Sequence, residues 1–293
     1  MEISVILVSY NTKEKTRDCL KSVYKYTKDV DFEVFVVDNN SHDGSPEMIE
    51  KEFPQVQLIR NPDNKGFGAA NNIAIRKSNA KYIFCLNTDT LLLDNSIKSF
   101  YDFMEKEENQ NIGACGCQLL DRDMGLQHIG GNFPTILQLF LIDTGIRHLF
   151  AKQFKRRFYE IKGQNSTTPF DIDYITGADL FIRKSVLDKV GLYDEDFFMY
   201  FEEVHLQYRM KQAGYKSVII PTVKIIHDCG YQPKNTPLSK MRLYRESELL
   251  YWEKIRGKWA RHTMKWLYFF RFVLDIGPNK EYFAKVKYHF LLH

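Results

Sequence analysis

Short apolar runs alternate with longer amphipathic ones through the first half of the chain. Ser4-Val5-Ile6-Leu7-Val8 reads as a buried strand, and Thr12 behind it as the N-cap of a helix reaching about Tyr26. Residues 32–37 predict a second strand that ends in Asp38-Asn39-Asn40-Ser41, and Ser45-Pro46 reads as N-cap and first residue of the next helix. Residues 56–60 give a third strand, 66–78 a helix with a Gly/Ala-rich start, and 82–86 a fourth strand closed by Asn87-Thr88-Asp89. Strands alternating with such helices predict an α/β fold, with a mostly parallel central sheet flanked by helices and right-handed crossovers. Ligands bind such sheets at the carboxyl ends of the strands, where this chain places its polar clusters.

The pattern weakens over residues 120–171. The basic run Lys152, Lys155, Arg156 and Arg157 there is either a solvated face or an acceptor-binding one. Order returns over residues 174–183, in a helix over 201–213 stopped by Gly214, and in a strand pair at 217–220 and 223–227.

Composition changes this picture mainly at the C-terminus. The 293 residues, 44% hydrophobic and 27% charged, sit with soluble globular chains. Residues 239–293 hold twelve Lys/Arg against five Asp/Glu, a net +7, which leaves the preceding 238 residues at −3. All three tryptophans, Trp252, Trp259 and Trp266, fall in that stretch, seven apart. On one continuous helix they would share a face with Ile255 and Val273, ringed by Lys254, Lys258, Arg261, Lys265 and Arg271. Such a basic aromatic helix either lies in a membrane interface or packs on the body as core, and Gly257 interrupts it. We therefore expect a catalytic unit over residues 1–238, in halves of about 1–119 and 120–238, and a helical extension over 239–293. No apolar run of eighteen residues and no signal peptide are visible, and the five cysteines are scattered. A cytoplasmic chain with reduced thiols is the expectation.

Candidate chemistry sits at the strand ends. Ser9 and Asn11 follow the first strand, and Asp38, with Asn40 close behind, follows the second. A carboxylate at that place commonly hydrogen-bonds a ribose or base, although Asp-Asn-Asn-Ser is equally good turn chemistry. The segment Gly66-Phe67-Gly68-Ala69-Ala70-Asn71-Asn72 suits close approach of a phosphate or of backbone. It lacks the Gly-Lys-Ser/Thr of a P-loop and the spacing of a dinucleotide fingerprint. Asp89 either terminates its strand or holds a divalent cation that would bridge a diphosphate and neutralise its growing charge. Glu202 and Glu203 open a helix, either as acids favoured by its dipole or with one of them a general base. His227 closes the apolar run Val223-Lys224-Ile225-Ile226 and is a second candidate metal ligand.

The order of these pieces is specific. Val8-Ser9-Tyr10-Asn11, then Val37 through Gly44, Asn64 through Asn72 and Leu86-Asn87-Thr88-Asp89 closely resemble glycosyltransferase family 2. So do Thr176-Gly177-Ala178 with Arg183-Lys184, then Phe201-Glu202-Glu203, Arg209, Ala213-Gly214 and His227. The likeness covers about residues 2–230 and is greatest to bacterial rhamnosyltransferase-type enzymes of cell-surface polysaccharide assembly.

The resemblance implies a GT-A fold, an inverting single displacement and a divalent metal, Mn²⁺ or Mg²⁺. It implies a nucleotide-sugar donor, UDP- or dTDP-linked, bound by the first half, and a glycan or polyprenyl-linked acceptor bound by the second. By position it makes Ser9, Asn11, Asp38 and Asn40 nucleoside-binding residues, with Gly66 and Asn72 on the helix bordering the nucleotide. Asp89 matches the last, metal-binding Asp of the D-x-D motif, His227 a late metal-binding His, and Glu203 the catalytic acid, with Glu202 beside it. Two departures stand out: Asn87 replaces the first Asp of D-x-D, and His205 replaces an acid two residues after the base. His205 could pair with Glu202 or tune the base. A lipid-linked acceptor would place the chain against the inner face of the cell membrane through its tail, and no nucleic-acid partner is expected.

Two other readings carry weight. A nucleotidyltransferase also holds a nucleotide over an open α/β sheet, but the Ser9-Tyr10-Asn11 turn offers no basic residue before Lys13. A degenerate, non-catalytic assembly subunit is favoured by Asn87 and His205 and opposed by Asp89, Glu203 and His227.

Overall fold

A computed structural model describes residues 1–143, 166–228 and 238–273. The run Lys152–Arg157 and the end of the tail lie outside the described residues. Strands β1 (Ile3–Ser9), β2 (Phe32–Asp38), β3 (Gln57–Arg60) and β4 (Tyr82–Leu86) alternate with helices α1 (Lys13–Tyr26), α2 (Ser45–Glu52) and α3 (Phe67–Lys77). The strands pair in parallel in the order β3-β2-β1-β4, as their apolar runs and helical spacers dictate. Register sets Ser9 beside Asp38, so the first two polar turns leave the sheet side by side.

Thr12 does cap α1 by position, but its hydroxyl contacts Thr16 Oγ1 at 3.1 Å instead of a backbone N–H. At α2 the cap is Gly44, at φ 79°, and the expected cap Ser45 is the first helical residue. Asp43 Oδ1 accepts from the Ser45 N–H and hydroxyl at 3.0 and 2.5 Å, which satisfies that helix end from outside.

Past β4 the chain adds β5 (Thr90–Leu92), α4 (Ser96–Glu105), β6 (Ile112–Leu120), β7 (Gly130–Gly131) and α5 (Ile136–Asp143). Then come β8 (Phe170–Ile172), β9 (Tyr174–Ile175), β10 (Asp179–Arg183), α6 (Lys184–Val190), α7 (Glu202–Gln212) and β11 (Lys216–His227). The parallel run continues into a mixed half. Strand β10 lies antiparallel between β4 and β6, β11 runs parallel to β6, and β5 and β8 pair antiparallel with β11. β6 is buried at every position, as expected of a strand covered on both faces.

The strand pair expected at 217–220 and 223–227 is one strand, β11, with a register irregularity between Ile220 and Lys224. Pro221 lies there, and its missing N–H interrupts the ladder without ending the strand.

Residues 238–273 form α8 (Leu238–Arg256) and α9 (Lys258–Val273), broken at Gly257, whose φ of 88° turns the chain. The three tryptophans do not share a face. Trp252 is 2% exposed, whereas Trp259 and Trp266 are 59% and 60% exposed. Leu249, Tyr251, Trp252, Ala260 and Met264 build a second core with Phe197, Phe201 and Val204 of the body. The start of the extension therefore packs as core against the entrance of α7.

Candidate active site

At the carboxyl edge of β1 and β2, Ser9 is buried, with its hydroxyl 3.3 Å from Thr16 Oγ1. Asn11 and Asn40 both take positive φ, 54° and 66°, a conformation asparagine adopts with little cost. Asn11 Oδ1 accepts from the His42 N–H at 2.8 Å, which ties the two turns together. Asp38 is buried. Its Oδ2 accepts from the Ser41 N–H at 2.9 Å, while Oδ1 has no partner among the described residues. One Asp38 oxygen thus makes the turn, and the other is left over by it.

Sequence reasoning passed over Asn39 as part of that turn. Its buried amide donates to Asn64 Oδ1 and the Gly66 carbonyl, both at 3.2 Å, and accepts from Asn61 Nδ2 at 2.7 Å. The density of asparagines in two neighbouring turns was the available signal. Gly66 is required by backbone approach. A Cβ there would lie 2.1 Å from the Phe198 carbonyl oxygen, which accepts from the Phe67 N–H at 3.0 Å, and its φ is 89°. Asn72 lies on α3, the helix expected to border the nucleotide. Its amide donates to Tyr193 O at 2.9 Å and Glu195 Oε1 at 2.8 Å, and its Oδ1 accepts from the Tyr193 N–H at 3.0 Å. Its work is to fasten α3 to the segment leading into α7.

Asp89 and His227 meet because β5 and β11 pair, with His227 opposite Thr90 and the Asp228 N–H donating to Asp89 O at 2.7 Å. His227 Nε2 stands 3.3 Å from Asp89 Oδ1, and the Lys15 ammonium 3.7 Å from Asp89 Oδ2. Partial burial works to raise the Asp89 carboxyl, but the imidazole and ammonium prevail and hold it below the usual range. Asn87 supplies a half-buried amide two residues away, its backbone N–H bonded to Ala178 O at 3.0 Å. Among the described residues no three His, Cys, Asp or Glu side chains gather as a complete metal cage. One carboxylate oxygen and one imidazole nitrogen nevertheless fit a cation that draws its remaining ligands from a diphosphate.

Glu202 and Glu203 occupy the first turn of α7, behind Tyr200 and Phe201, both held at positive φ of 71° and 68°. Bulky residues rarely adopt that conformation, and it persists where surrounding packing enforces it. Here Phe201 packs on Tyr244 and Tyr251 of α8, ring centroids 5.1 and 5.4 Å apart. Glu202 is buried, and its Oε2 has no partner among the described residues. Burial pushes the half-buried Glu203 up to about 7. It raises Glu202 as well, where repulsion from Glu203 adds to the effect.

His205 does not pair with Glu202. Its Nδ1 faces Asp194 Oδ2 at 3.6 Å, its ring packs on Phe197, and burial with the nearby Arg209 charge lowers it to about 4. Gln207 was not anticipated. It exchanges hydrogen bonds with the Ile175 backbone at 2.9 and 2.8 Å, which locks α7 to β9. Asp179, also unanticipated, is fully buried opposite Leu86. Its Oδ2 accepts from the Cys117 N–H at 2.7 Å, and burial pushes it up to about 6.

This is an α/β sheet of GT-A type with polar turns over its carboxyl edge, and a carboxylate–imidazole pair and a desolvated acid pair stand beside them. Residues 4–191 match the model of the family described as glycosyl transferase family 2, and the chain belongs to that family. It is an inverting glycosyltransferase. The chain is 25% identical over 250 residues to the N-acetylglucosaminyl-diphospho-decaprenol L-rhamnosyltransferase of Mycobacterium tuberculosis, across 80% of this chain and 78% of that one. It is 25% identical over 231 residues to the dTDP-rhamnosyl transferase RfbF of Shigella flexneri, across 78% and 69%. Its fold is similar to that of a mannosyltransferase from Pyrobaculum calidifontis in complex with GDP-Man and Mn²⁺. That match has a TM-score of 0.61 at 16% identity, over 99% of this chain and 80% of the other.

Proposed function

We propose that the chain transfers a deoxyhexose such as rhamnose, or another hexose, from a UDP- or dTDP-sugar to a hydroxyl of a glycan on a polyprenyl diphosphate. Cell-surface polysaccharide assembly at the inner face of the membrane is the setting. The observation that carries this reading is the meeting of Asp89 and His227 at the sheet edge, 3.3 Å apart. The curated relatives add to it, since one is named for a decaprenol-linked acceptor and one for a dTDP-rhamnosyl donor.

Asp38, with Ser9, Asn11 and Asn40 around it, takes the nucleoside; Gly66 lets α3 approach, and Asn72 braces that helix. Asp89 and His227, with Asn87 nearby, would hold a Mn²⁺ or Mg²⁺ ion, which offsets the charge of the departing diphosphate when bound. Glu203 accepts the proton of the acceptor hydroxyl as that oxygen bonds to the anomeric carbon. The bond to the diphosphate breaks on the opposite side, which inverts the carbon. Burial of Glu202 behind it, with repulsion from Glu203, disfavours a second negative charge in the site. No described helix is long and apolar enough to cross a membrane. Contact through the tail would fall to the exposed Trp259 and Trp266 of α9 with neighbouring Lys258 and Lys265.

A panel of nucleotide sugars in thermal unfolding with Mn²⁺ tests the reading, because a ligand that binds the folded state raises its midpoint. Stabilisation by UDP- or dTDP-sugars, lost on Asp89→Ala, is expected. Indifference of the wild type to every nucleotide sugar would contradict it.

A further inference from the structure

We propose that Lys15 is a diphosphate-binding cation built into the protein, which shares the Asp89 edge with the divalent ion and partly takes its place. The inference rests on the donor-site reading above. Lys15 lies in the first turn of α1, remote in sequence from the residues it reaches. Its ammonium donates to the Asp228 carbonyl at 2.7 Å and stands 3.7 Å from Asp89 Oδ2. The Asp228 N–H in turn donates to Asp89 O at 2.7 Å, so helix, strand end and carboxylate form one braced unit. The Asp228 carboxylate is turned to Arg122 at 2.8 Å and does not neutralise Lys15. The Lys15 side chain is 37% exposed, so the charge is held in place and still open to a ligand.

Charge at this edge explains why the lysine matters. Asn87 contributes a neutral amide where a second carboxylate would add charge, leaving Asp89 the one acid of the Asn87-Thr88-Asp89 turn. Its negative charge is matched by Lys15 before any metal arrives. A divalent ion on the same carboxylate must then tolerate an ammonium close by, which weakens its hold. A diphosphate gains from both cations, and a lysine serves phosphate as a compact point charge. The chain therefore keeps part of its diphosphate affinity without metal.

The test is calorimetric titration of the full chain, wild type against Lys15→Met and Lys15→Arg. The probes are UDP and dTDP, each in chelator, and Mn²⁺ alone. Lys15→Met should weaken nucleoside diphosphate binding in chelator by about tenfold or more and tighten Mn²⁺ alone several-fold. Lys15→Arg, which keeps the charge, should stay near the wild type in both. Opposite signs distinguish this from a damaged fold, which would weaken both. Equal diphosphate affinity in Lys15→Met and wild type would overturn the proposal and leave Lys15 a surface ion pair. Wild-type protein that binds neither UDP nor dTDP in any condition would overturn the donor reading itself, a different failure.

Discussion

Glu202 and Glu203 are under opposed influences at the first turn of α7. The helix dipole favours negative charge there by about 0.3–1 kcal/mol, less than one pKa unit at about 1.36 kcal/mol per unit. Burial opposes charge and wins, since Glu203 rises to about 7 and Glu202 rises too. Such a carboxyl holds its proton longer folded than unfolded. The stability this brings is full below the unfolded value near 4.5 and declines as pH rises through about 7. Glu203→Gln cannot lose a proton, so it should melt above the wild type at pH 8, with the gap narrowing or reversing at pH 5. Thermal unfolding at the two values checks this, and an unchanged gap would count against a desolvated Glu203. The acid pair was legible in the sequence as helix-start residues, but its burial was not, because a neighbour such as Gly68 of α3, where an added Cβ would lie 3.5 Å from Glu202 Cβ, is remote in sequence.

Elements explain what single residues cannot. The segment between α6 and α7 is gripped from two sides, by Gly66 and Asn72 of the α3 region and by α8. From α8, Ser247 Oγ donates to Met199 O at 2.7 Å, and Lys254 pairs with Asp194 at 2.9 Å and Asp196 at 2.5 Å. Asp194 also faces His205, one turn into α7. Lys254 is therefore placed to position the helix that carries the proposed base. Lys254→Met should lower kcat several-fold with donor KM little changed, and Lys254→Arg should recover most of it. A change confined to donor KM would argue against this latch.

The same scale shows where pattern reading runs out. β1 to β4 are apolar runs ended by turn residues, so each was visible alone. Asp89 and His227 were visible as strand ends, but their meeting depends on β5 pairing with β11 across the chain. The bracing role of Asn72 was not legible, because its partners, Tyr193 and Glu195, are equally remote in sequence. Arg183, read only as part of a family motif, is a buried staple. It donates to Met104 O at 2.9 Å and to Tyr82 Oη at 3.0 Å, and so joins β10 to β4 and α4.

For the whole molecule, the division near residue 239 marks a change of composition and not an independent part. Removing residues 239–293 would uncover Phe197, Phe201 and Val204 and strip the packing that holds Tyr200 and Phe201 at positive φ. Burying each such apolar side chain is worth about 1.5–3 kcal/mol, a large share of the 5–15 kcal/mol by which domains are commonly stable. The truncated chain should therefore be insoluble or melt far below the full chain, as sedimentation and thermal unfolding would show. A soluble, fully stable 1–238 fragment would contradict the second core. The proposed reading has Glu203 remove a proton from an acceptor hydroxyl, so the most direct measurement is turnover of a nucleotide sugar by Glu203→Gln. The variant keeps shape and hydrogen bonding. It should lose roughly a hundred- to ten-thousand-fold in kcat while donor affinity holds. Near wild-type turnover in Glu203→Gln would contradict the account, and its loss in Glu202→Gln instead would move the base by one residue.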